Sequence, residues 1–217
     1  MQTERSADLL QPFLASPLRQ DQLIQISTYI DILLKWNQRM NLTAVRDADE
    51  MVPRHFGESL FAAQQLLPAG SDSAVKVVDL GSGAGFPGLP MKLWAPEIEL
   101  RLIESNQKKA AFLREVVRSL KLEKVTVFAG RAEEFPLASA ELVTMRAVER
   151  FESALPVAAN LVWPGGRLAL LIGEAQVLKA QETLPDLTWQ SAIPIPKSAA
   201  RVLMVGRAGT RSVTSGT

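Results

Sequence analysis

The sequence contains no cysteine, which excludes disulfide bonds, thiolate metal ligands and a cysteine nucleophile. Its one histidine, His55, argues against a metal site, because protein-built zinc sites draw on several Cys and His ligands. No apolar run approaches the ~20 residues of a membrane-spanning helix. The N-terminus, MQTERSADLL, has mixed charge and lacks the apolar core of a signal peptide. We therefore expect a cytoplasmic protein with neither a metal nor a membrane partner.

A surplus of one charge sign is also missing, since 24 Lys and Arg balance 23 Asp and Glu. Net charge therefore gives no sign of a nucleic-acid partner. The distribution is uneven, however. Seven basic residues and two acidic ones lie between Gln107 and Arg131, and all the charged side chains after Asp186 are basic. Such local surpluses can meet phosphate, but they also occur on solvated helix faces. Charge alone leaves both interpretations open.

The stretch Val75–Pro90, VKVVDLGSGAGFPGLP, joins an apolar run to a loop with alternating glycines. Short β-branched runs are typical of buried parallel strands. Glycines 81, 83 and 85 let the backbone turn sharply and lie against a ligand, so we expect a side chain at Gly85 to occupy ligand space. The prolines that follow suit a first helical turn. Strand, glycine loop and helix form the front half of a nucleotide-binding unit.

The spacing of this loop indicates the type of nucleotide. A dinucleotide fingerprint would need glycine where Phe86 stands, and the Gly-Lys-Ser/Thr ending of a P-loop is missing. An acid before alternating glycines is instead typical of loops that bind S-adenosylmethionine, which has no phosphate and needs no exposed helix N-terminus. The next strand, LRLIE, ends in an acid 25 residues after Asp79, where a carboxylate can hold the ribose hydroxyls. The predicted cofactor residues are Asp79, Gly81, Gly83, Gly85 and Glu104, with an unrelated glycine turn as the alternative.

Apolar periodicity divides the chain into three parts. Residues 1–67 keep a helical rhythm and predict an N-terminal helical cap. Residues 68–208 begin with a polar linker, at 68–74, and then alternate strands and helices as an α/β domain does. Residues 209–217 predict a flexible tail.

Within the α/β domain, predicted helices cover 108–120 and 151–162, and further predicted strands cover 125–128, 141–145 and 167–172. A turn is expected at 164–166. Segments 187–193 and 201–206 predict a closing hairpin.

Motifs along most of the chain resemble those of bacterial 16S ribosomal RNA guanine-N7 methyltransferases, historically the glucose-inhibited division protein B family. The motifs are WN and NLT within 36–43, RH and Ser59 within 54–59, DLGSGAGFPGLP at 79–90, ES and KK within 104–109, GRAEE at 130–134, RA at 146–147, PGG at 164–166 and Arg201. Glu58, where Asp is usual, and Gln107, where a basic or small residue is common, are mild departures outside the cofactor loop.

The resemblance implies a seven-stranded Rossmann-like methyltransferase fold with an N-terminal helical cap and S-adenosylmethionine as cofactor. It also implies a target guanine in the 530 loop of 16S RNA, whether free, in an assembly intermediate or in the small subunit. By resemblance, further cofactor contacts fall on Phe86, Ala132, Glu133 and Arg146, besides Gly81. Alternatives stay open for two of them: Phe86 could belong to the core, and Glu133 could cap a helix.

Six residues are candidates for contacts with RNA around the mouth of the cofactor site: Arg39, Arg46, Arg54, His55, Lys109 and Arg201. Arginine and lysine can meet phosphate oxygens through their charge. For His55, pairing with a carboxylate at the junction of cap and domain is the alternative.

The chemistry of the residues also restricts the methyl acceptor. Covalent activation of a pyrimidine C5 needs a cysteine, and amino-group methylation typically uses Asn/Asp-Pro-Pro-aromatic where this chain has TMRAV at 144–148. A ring nitrogen with a free lone pair, such as guanine N7, needs only positioning, which can supply about 7–11 kcal/mol. We therefore expect Arg146 to position the reactants and no residue to act as general base. We also expect the enzyme to be a monomer. The rivals are a methyltransferase of this fold for a metabolite or protein, and a non-catalytic cofactor-binding ribosome assembly factor.

Overall fold

The structure is a computed structural model that describes residues 3–67, 74–148 and 150–210. Its strands are β1 (Lys76–Leu80), β2 (Glu99–Ile103), β3 (Val125–Phe128), β4 (Ala140–Arg146), β5 (Val162–Gly173), β6 (Thr188–Trp189), β7 (Ile193–Pro194) and β8 (Arg201–Arg207). Its α-helices are α1 (Thr3–Leu10), α2 (Gln20–Asn37), α3 (Ala48–Met51), α4 (Glu58–Leu66), α5 (Gly88–Trp94), α6 (Gln107–Ser119), α7 (Phe151–Leu161) and α8 (Val177–Thr183). A π-helical turn, Val52–Gly57, precedes α4, and a 3-10 turn, Ala132–Glu134, follows β3.

All these strands form one sheet of order β3-β2-β1-β4-β5-β8-β6, with β7 also paired to β8. Strands β1 to β5 are parallel, and β8 runs antiparallel to β5. After β1 the chain fills one side of the sheet with β2 and β3, then crosses to the other side with β4. In sheets of this kind a ligand crevice opens at the carboxyl ends of the strands where the order reverses. The topology therefore places a site beyond the ends of β1 and β4.

The hairpin predicted from segments 187–193 and 201–206 is present, but its first strand is divided into β6 and β7. Strand β8 uses one edge for β5 and the other for both β6 and β7, which therefore form a single interrupted edge strand. Eight strand segments thus occupy seven positions. The turn expected at 164–166 lies inside β5 as a bulge, because Ala140 pairs with Val162 while Leu142 already pairs with Arg167. Helix α8 was not predicted.

Helices cover both faces of the sheet. On one face, residues of the N-terminal helices such as Ile26 and Phe56 share an apolar cluster with Val77 of β1. On the other, Leu155 of α7 packs with Val78. Successive strand residues point to opposite faces, which explains why the neighbouring residues Val77 and Val78 of β1 are both buried, each in a different apolar cluster.

The N-terminal helices and the sheet thus share one apolar core, while the domain boundaries at 67 and 208 stay a prediction. Most of the linker predicted at 68–74 and of the tail predicted at 209–217 lies outside the described residues. Among the helices that the structure describes, none has both the length and the apolar character needed to span a membrane.

Candidate active site

A cavity of about 820 Å³ opens at the carboxyl ends of β1, β2 and β4, where the topology places a site. Its volume falls in the range of about 300–1,000 Å³ that is typical of small-molecule sites. The sequence-predicted site residues that line it are Arg54, His55, Gly81, Gly83, Phe86, Glu104, Lys109, Ala132, Glu133, Arg146 and Arg201. Asp79, Gly85, Arg39 and Arg46 are not among the residues that line this cavity. The fold therefore brings residues from 54 to 201 into one site.

Glu104 fixes the glycine loop at the floor of the cavity. Its Oε2 accepts a hydrogen bond from the Gly83 amide at 2.9 Å, and its Oε1 accepts one from the Asn106 amide at 2.7 Å. A carboxylate has about four lone-pair positions, so both oxygens can still accept from further donors. Glu104 is thus oriented by the backbone with acceptor capacity left for the two hydroxyls of a ribose.

Asp79 lies beneath the loop and is fully buried. Its carboxylate accepts from the Gly88 amide at 3.3 Å and from the Thr144 hydroxyl at 2.8 Å. Burial raises the pKa of this carboxyl from 3.8 to about 6, because desolvation disfavours its charged form. Asp79 therefore joins the start of α5 to β4 and supports the loop from behind, while its contact with the cofactor stays a prediction.

Gly85 faces the protein interior, so the expectation that its side chain would enter ligand space is wrong. Its φ is +86°, and a Cβ added there would lie 2.5 Å from Leu89 Cδ1 and also collide with the Tyr29 hydroxyl. That hydroxyl donates a hydrogen bond to the Ala84 carbonyl. The third glycine is therefore required for close packing of the loop on α2.

Phe86 belongs both to the core and to the cavity wall. It is only 8% exposed, and its ring stacks on Tyr29 at 5.4 Å between centroids and on His55 at 4.9 Å. Phe86 is therefore a core residue that also lines the cavity, so a role in the core does not exclude a contact with the cofactor. Its ring also lies 6.0 Å from the Arg146 guanidinium carbon, within reach of a cation–π interaction.

His55 is held by two intramolecular partners. Its Nδ1 lies 3.3 Å from Arg146 Nη2, and its Nε2 lies 2.7 Å from the Thr43 hydroxyl. Since a guanidinium can only donate, Nδ1 accepts and Nε2 carries the proton. Burial and the nearby guanidinium of Arg146 lower the pKa of His55 to about 3, so the ring is neutral near pH 7. Within the described residues its polar side-chain partners are Arg146 and Thr43, so the alternative of a carboxylate partner is not seen there.

A buried carboxylate, Glu58, gathers three arginines at one wall of the cavity. Its Oε2 lies 3.1 Å from Arg146 Nη2 and 2.9 Å from Arg201 Nη1, and its Oε1 lies 3.6 Å from Arg54 Nη1. Glu58 is only 2% exposed. Burial lowers the pKa of Arg146 to about 10, an effect that the charge of Glu58 partly offsets. Arg146 thus remains charged at neutral pH, and three guanidiniums around one carboxylate leave a formal surplus of positive charge.

The π-helical turn at 52–57 shapes this wall. The Glu58 amide, at the start of α4, bonds the carbonyls of Pro53 and His55. The Arg54 carbonyl, which a regular α-helix would pair with that amide, instead accepts from Arg146 Nη2 at 2.7 Å. Such π-turns are frequent at functional sites. The turn lets one helical segment contribute a carbonyl, an imidazole and a carboxylate to Arg146.

Arg146 retains unused donors. Its Nε and Nη1 are buried, and neither has a hydrogen-bond partner among the residues that the structure describes. An unpaired buried donor costs about 1–3 kcal/mol, so a partner is expected at such a position. Since Arg146 lines the cavity, an acceptor atom of a bound molecule can supply it. The cavity therefore fits a ligand that offers hydroxyls to Glu104 and an acceptor to Arg146, as S-adenosylmethionine does.

Sequence reasoning missed Glu58 and Tyr29 as parts of the site. Glu58 stands four residues after Arg54, a spacing that predicts an ion pair on one helix face and was available from the sequence. Tyr29 gave no local signal, because its partner Ala84 is 55 positions away.

Two candidates for RNA contact lie apart from the cavity. Arg39 lines a separate pocket beside Trp36 and Lys108. Arg46 donates to the Asn37 carbonyl at 3.2 Å and to Asn41 Oδ1 at 2.9 Å, which fixes the loop after α2.

The fold is that of the Rossmann-like methyltransferases. The fold matches Pyrococcus horikoshii TYW2, solved in complex with MeSAdo, with a TM-score of 0.60 and 18% identity over 73% of this chain and 64% of that one. It also matches a SAM dependent methyltransferase from Aquifex aeolicus, with a TM-score of 0.55 and 16% identity over 75% of this chain and 93% of that one.

The chain belongs to the GidB family, rRNA small subunit methyltransferase G, whose sequence model matches residues 22–197. The protein of that name from Roseiflexus castenholzii is 37% identical over 200 residues, which cover 87% of this chain and 84% of the relative. Its namesake from Streptococcus pyogenes is 36% identical over 163 residues, 73% of this chain and 68% of the relative. The predicted family, fold class and methyltransferase activity with S-adenosylmethionine are confirmed.

Proposed function

We propose that this protein transfers the methyl group of S-adenosylmethionine to N7 of a guanine in the 530 loop of 16S ribosomal RNA. One observation carries the proposal beyond family membership: the cofactor-type loop and a wall of arginines line the same open cavity. Arg54 and Arg201 meet at the buried Glu58, and Lys109, on α6, lines the same cavity. A polyanion can reach such a rim, whereas an uncharged metabolite would gain little from it.

The cofactor residues have distinct roles in this proposal. Bound S-adenosylmethionine supplies an electrophilic methyl group. Glu104 accepts from the ribose hydroxyls, and Gly81 and Gly83 let the loop backbone approach the ligand. Ala132 and Glu133, on the 3-10 turn after β3, would flank the adenine. Phe86 would close the cavity wall beside the cofactor.

The methyl acceptor is a lone pair, so no proton has to be removed. Guanine N7 carries an in-plane lone pair and no hydrogen at neutral pH. His55 does not serve as a base, because both ring nitrogens already have partners. Asp79 lies behind the loop, away from the cavity. We therefore assign Arg146 the positioning of cofactor and target, through the donors that lack a partner within the described chain.

Contacts with the RNA backbone are proposed for the exposed cations near the cavity mouth. Arg54 and Arg201 retain exposed surface while they pair with Glu58, with side-chain exposures of 46% and 22%. Lys109 completes the rim. Arg39 and Arg46 would extend the footprint away from the cavity, while the partners of His55 favour a structural role over the predicted RNA contact.

We extend the proposal to a monomeric protein that acts in the cytoplasm on the small ribosomal subunit or its assembly intermediate. Membership of the rRNA small subunit methyltransferase G family supports this choice of substrate.

The decisive experiment follows a radiolabelled methyl group from the cofactor into three acceptors: naked 16S RNA, small subunits, and a pool of small metabolites. Borohydride reduction followed by aniline cleavage then locates 7-methylguanine in the RNA. Label at one guanine of the 530 loop, lost when that guanine is replaced by adenine, supports the proposal. Label in a metabolite would refute it, and cofactor binding without transfer to any acceptor would indicate an assembly factor.

A further inference from the structure

We propose that Glu58 is a positioning residue for methyl transfer, which sets the orientation of the Arg146 guanidinium toward the reactants. The choice of RNA as acceptor rests on the proposed function. The role of Glu58 itself rests on geometry in the arginine wall. Its test therefore includes a measurement that needs neither RNA nor turnover.

The three arginines depend on Glu58 for their close approach. Arg146 and Arg201 share its Oε2, at 3.1 and 2.9 Å, and Arg54 lies 3.6 Å from its Oε1. The positive charges of Arg201 and Arg54 both act to lower the pKa of Arg146, which is the signature of mutual repulsion. One buried carboxylate among three guanidiniums offsets that repulsion, and the guanidiniums in turn offset its desolvation.

Glu58 anchors only one end of the Arg146 guanidinium. The Nη2 atom contacts Glu58 Oε2, the Arg54 carbonyl at 2.7 Å and the imidazole of His55 at 3.3 Å. The other nitrogens, Nε and Nη1, have no partner in the described chain. A guanidinium is rigid and planar, so fixing Nη2 also fixes the directions of the remaining N–H bonds. The anchor therefore fixes the directions of the donors that have no partner in the described chain, in a residue that lines the cavity.

The position of Glu58 in the fold suits an anchor. It lies in α4 directly after the π-helical turn, and its side chain is almost fully buried. Buried side chains on regular elements hold a site more precisely than exposed ones on loops. A misplacement of about 1 Å can lower a rate roughly 100-fold.

The charge of Glu58 allows its positioning role to be distinguished from a role in RNA binding. With Glu58 present, the cluster of three guanidiniums and one carboxylate has a formal charge of +2, from +3 and −1. Replacement of Glu58 by glutamine would raise it to +3. Affinity for RNA phosphates should then stay the same or increase, while methyl transfer slows. A residue needed for RNA binding, or for folding alone, would lose affinity and rate together.

The experiment compares Glu58→Gln and Glu58→Asp with the wild type and with Glu97→Gln. Glu97 is a matched control because it pairs with a cation, Lys124 at 2.9 Å, on the exposed surface. Single-turnover rates are measured at saturating cofactor and 16S RNA, RNA affinity by filter binding, and folding by thermal melting. We expect Glu58→Gln to lower the rate 10- to 100-fold with unchanged or tighter RNA binding. Glu58→Asp should recover part of the rate, and Glu97→Gln should match the wild type.

A second measurement needs no turnover and observes the Arg146 side chain by 15N NMR of arginine Nε–H groups. The Arg146 signal is assigned as the one that disappears in Arg146→Lys. Glu58→Gln or Glu58→Asp should shift this signal, while Glu97→Gln leaves it in place. If Glu58→Gln does not fold, the aspartate variant decides by its rate and its signal. A wild-type rate, a parallel loss of rate and RNA affinity in a folded variant, or an unmoved Arg146 signal would overturn the role. If the wild type methylates no RNA, the proposed function fails, and NMR alone judges the positioning.

Discussion

The hydroxyl of Tyr29, on α2, donates a hydrogen bond to the carbonyl of Ala84, in the glycine loop 55 positions later. Burial and the charge of Asp79 raise the pKa of this phenol well above its ordinary value of 10, so the hydroxyl stays protonated as a donor. The same ring stacks on Phe86 at 5.4 Å. Helix α2 thus helps to set the shape of the cofactor loop.

Tyr29→Phe should weaken binding of S-adenosylmethionine while the fold remains. The variant keeps the stacked ring and loses one buried hydrogen bond, which is worth about 0.5–1.5 kcal/mol, or roughly 2- to 12-fold in affinity. Isothermal titration calorimetry provides the measurement. Thr28→Ala, which removes a local hydroxyl contact on the same helix, is the control. Equal affinity in wild type and Tyr29→Phe would show that the loop does not depend on this bond.

Substitutions at two glycines of the loop should have separate effects. Both residues have positive φ, +57° at Gly83 and +86° at Gly85, so a side chain costs about 1–2 kcal/mol of strain at either one. A Cβ at Gly83 meets no atom closer than 3.8 Å, whereas at Gly85 it meets Leu89 at 2.5 Å. Gly83→Ala should therefore fold and bind the cofactor poorly, while Gly85→Val should lose folding stability. Thermal melting and calorimetry check both, and the reverse pattern would contradict the assigned geometry.

Asp79 should make stability depend on pH. Its folded pKa of about 6 exceeds its ordinary 3.8, so folding takes up a proton between these values. Stability from this group is therefore greatest below pH 3.8, falls by up to about 1.4 kcal/mol per pH unit as pH rises toward 6, and changes no further above it.

Urea unfolding of wild type and Asp79→Asn from pH 4.5 to 7.5 checks this dependence. Asparagine does not titrate, so the wild type should lose stability relative to the variant up to about pH 6. His55, with a lowered pKa, has the opposite trend but is present in both proteins and cancels in the difference. The exposed pair partner Asp49 supplies the control Asp49→Asn. If the difference in free energy of unfolding between wild type and Asp79→Asn does not vary with pH, the pKa of Asp79 is not raised.

The rate of methyl transfer should be independent of pH between about 7 and 8.5, above the pKa of about 6 of Asp79. Guanine N7 has no proton to lose, and His55, with a pKa of about 3, does not titrate in this window. Single-turnover rates at saturating cofactor and RNA check the wild type and His55→Ala. The variant can have a lower rate, since its contact with Arg146 is lost, but its profile should stay flat. A unit-slope rise in the wild type that disappears in the variant would reveal a general base and contradict N7 as acceptor.

The affinity for RNA should fall steeply with salt through a few specific cations. Each phosphate contact removed lowers the log–log slope by about one. We expect this decrease for Arg54→Ala and Lys109→Ala, whose side chains line the cavity. Arg19→Ala is the control, because Arg19 pairs with Asp21 on the exposed start of α2. Unchanged slopes in both cavity variants would reject this footprint.

Patterns among neighbouring residues in the sequence were enough to predict the parallel strands and the cofactor loop. Apolar runs near residues 77, 102 and 143, each followed by a turn or helix signal, predict parallel strands because both faces of such strands are buried. Three glycines after Asp79 and the acid at Glu104 predicted the place of the cofactor, since this chemistry lies within one strand–loop–helix–strand unit. These features need only neighbours in sequence.

Tertiary structure decided what the site residues do. Glu58 looked like a mild departure beside Ser59, and it became the carboxylate that joins Arg146 and Arg201, which lie 88 and 143 positions later. Gly85 looked like a ligand contact, and packing against Tyr29 turned it toward the core. Burial and charge at such points depend on which distant segments meet. Sequence periodicity shows which face of an element is buried, but only the packed structure shows what lies against it.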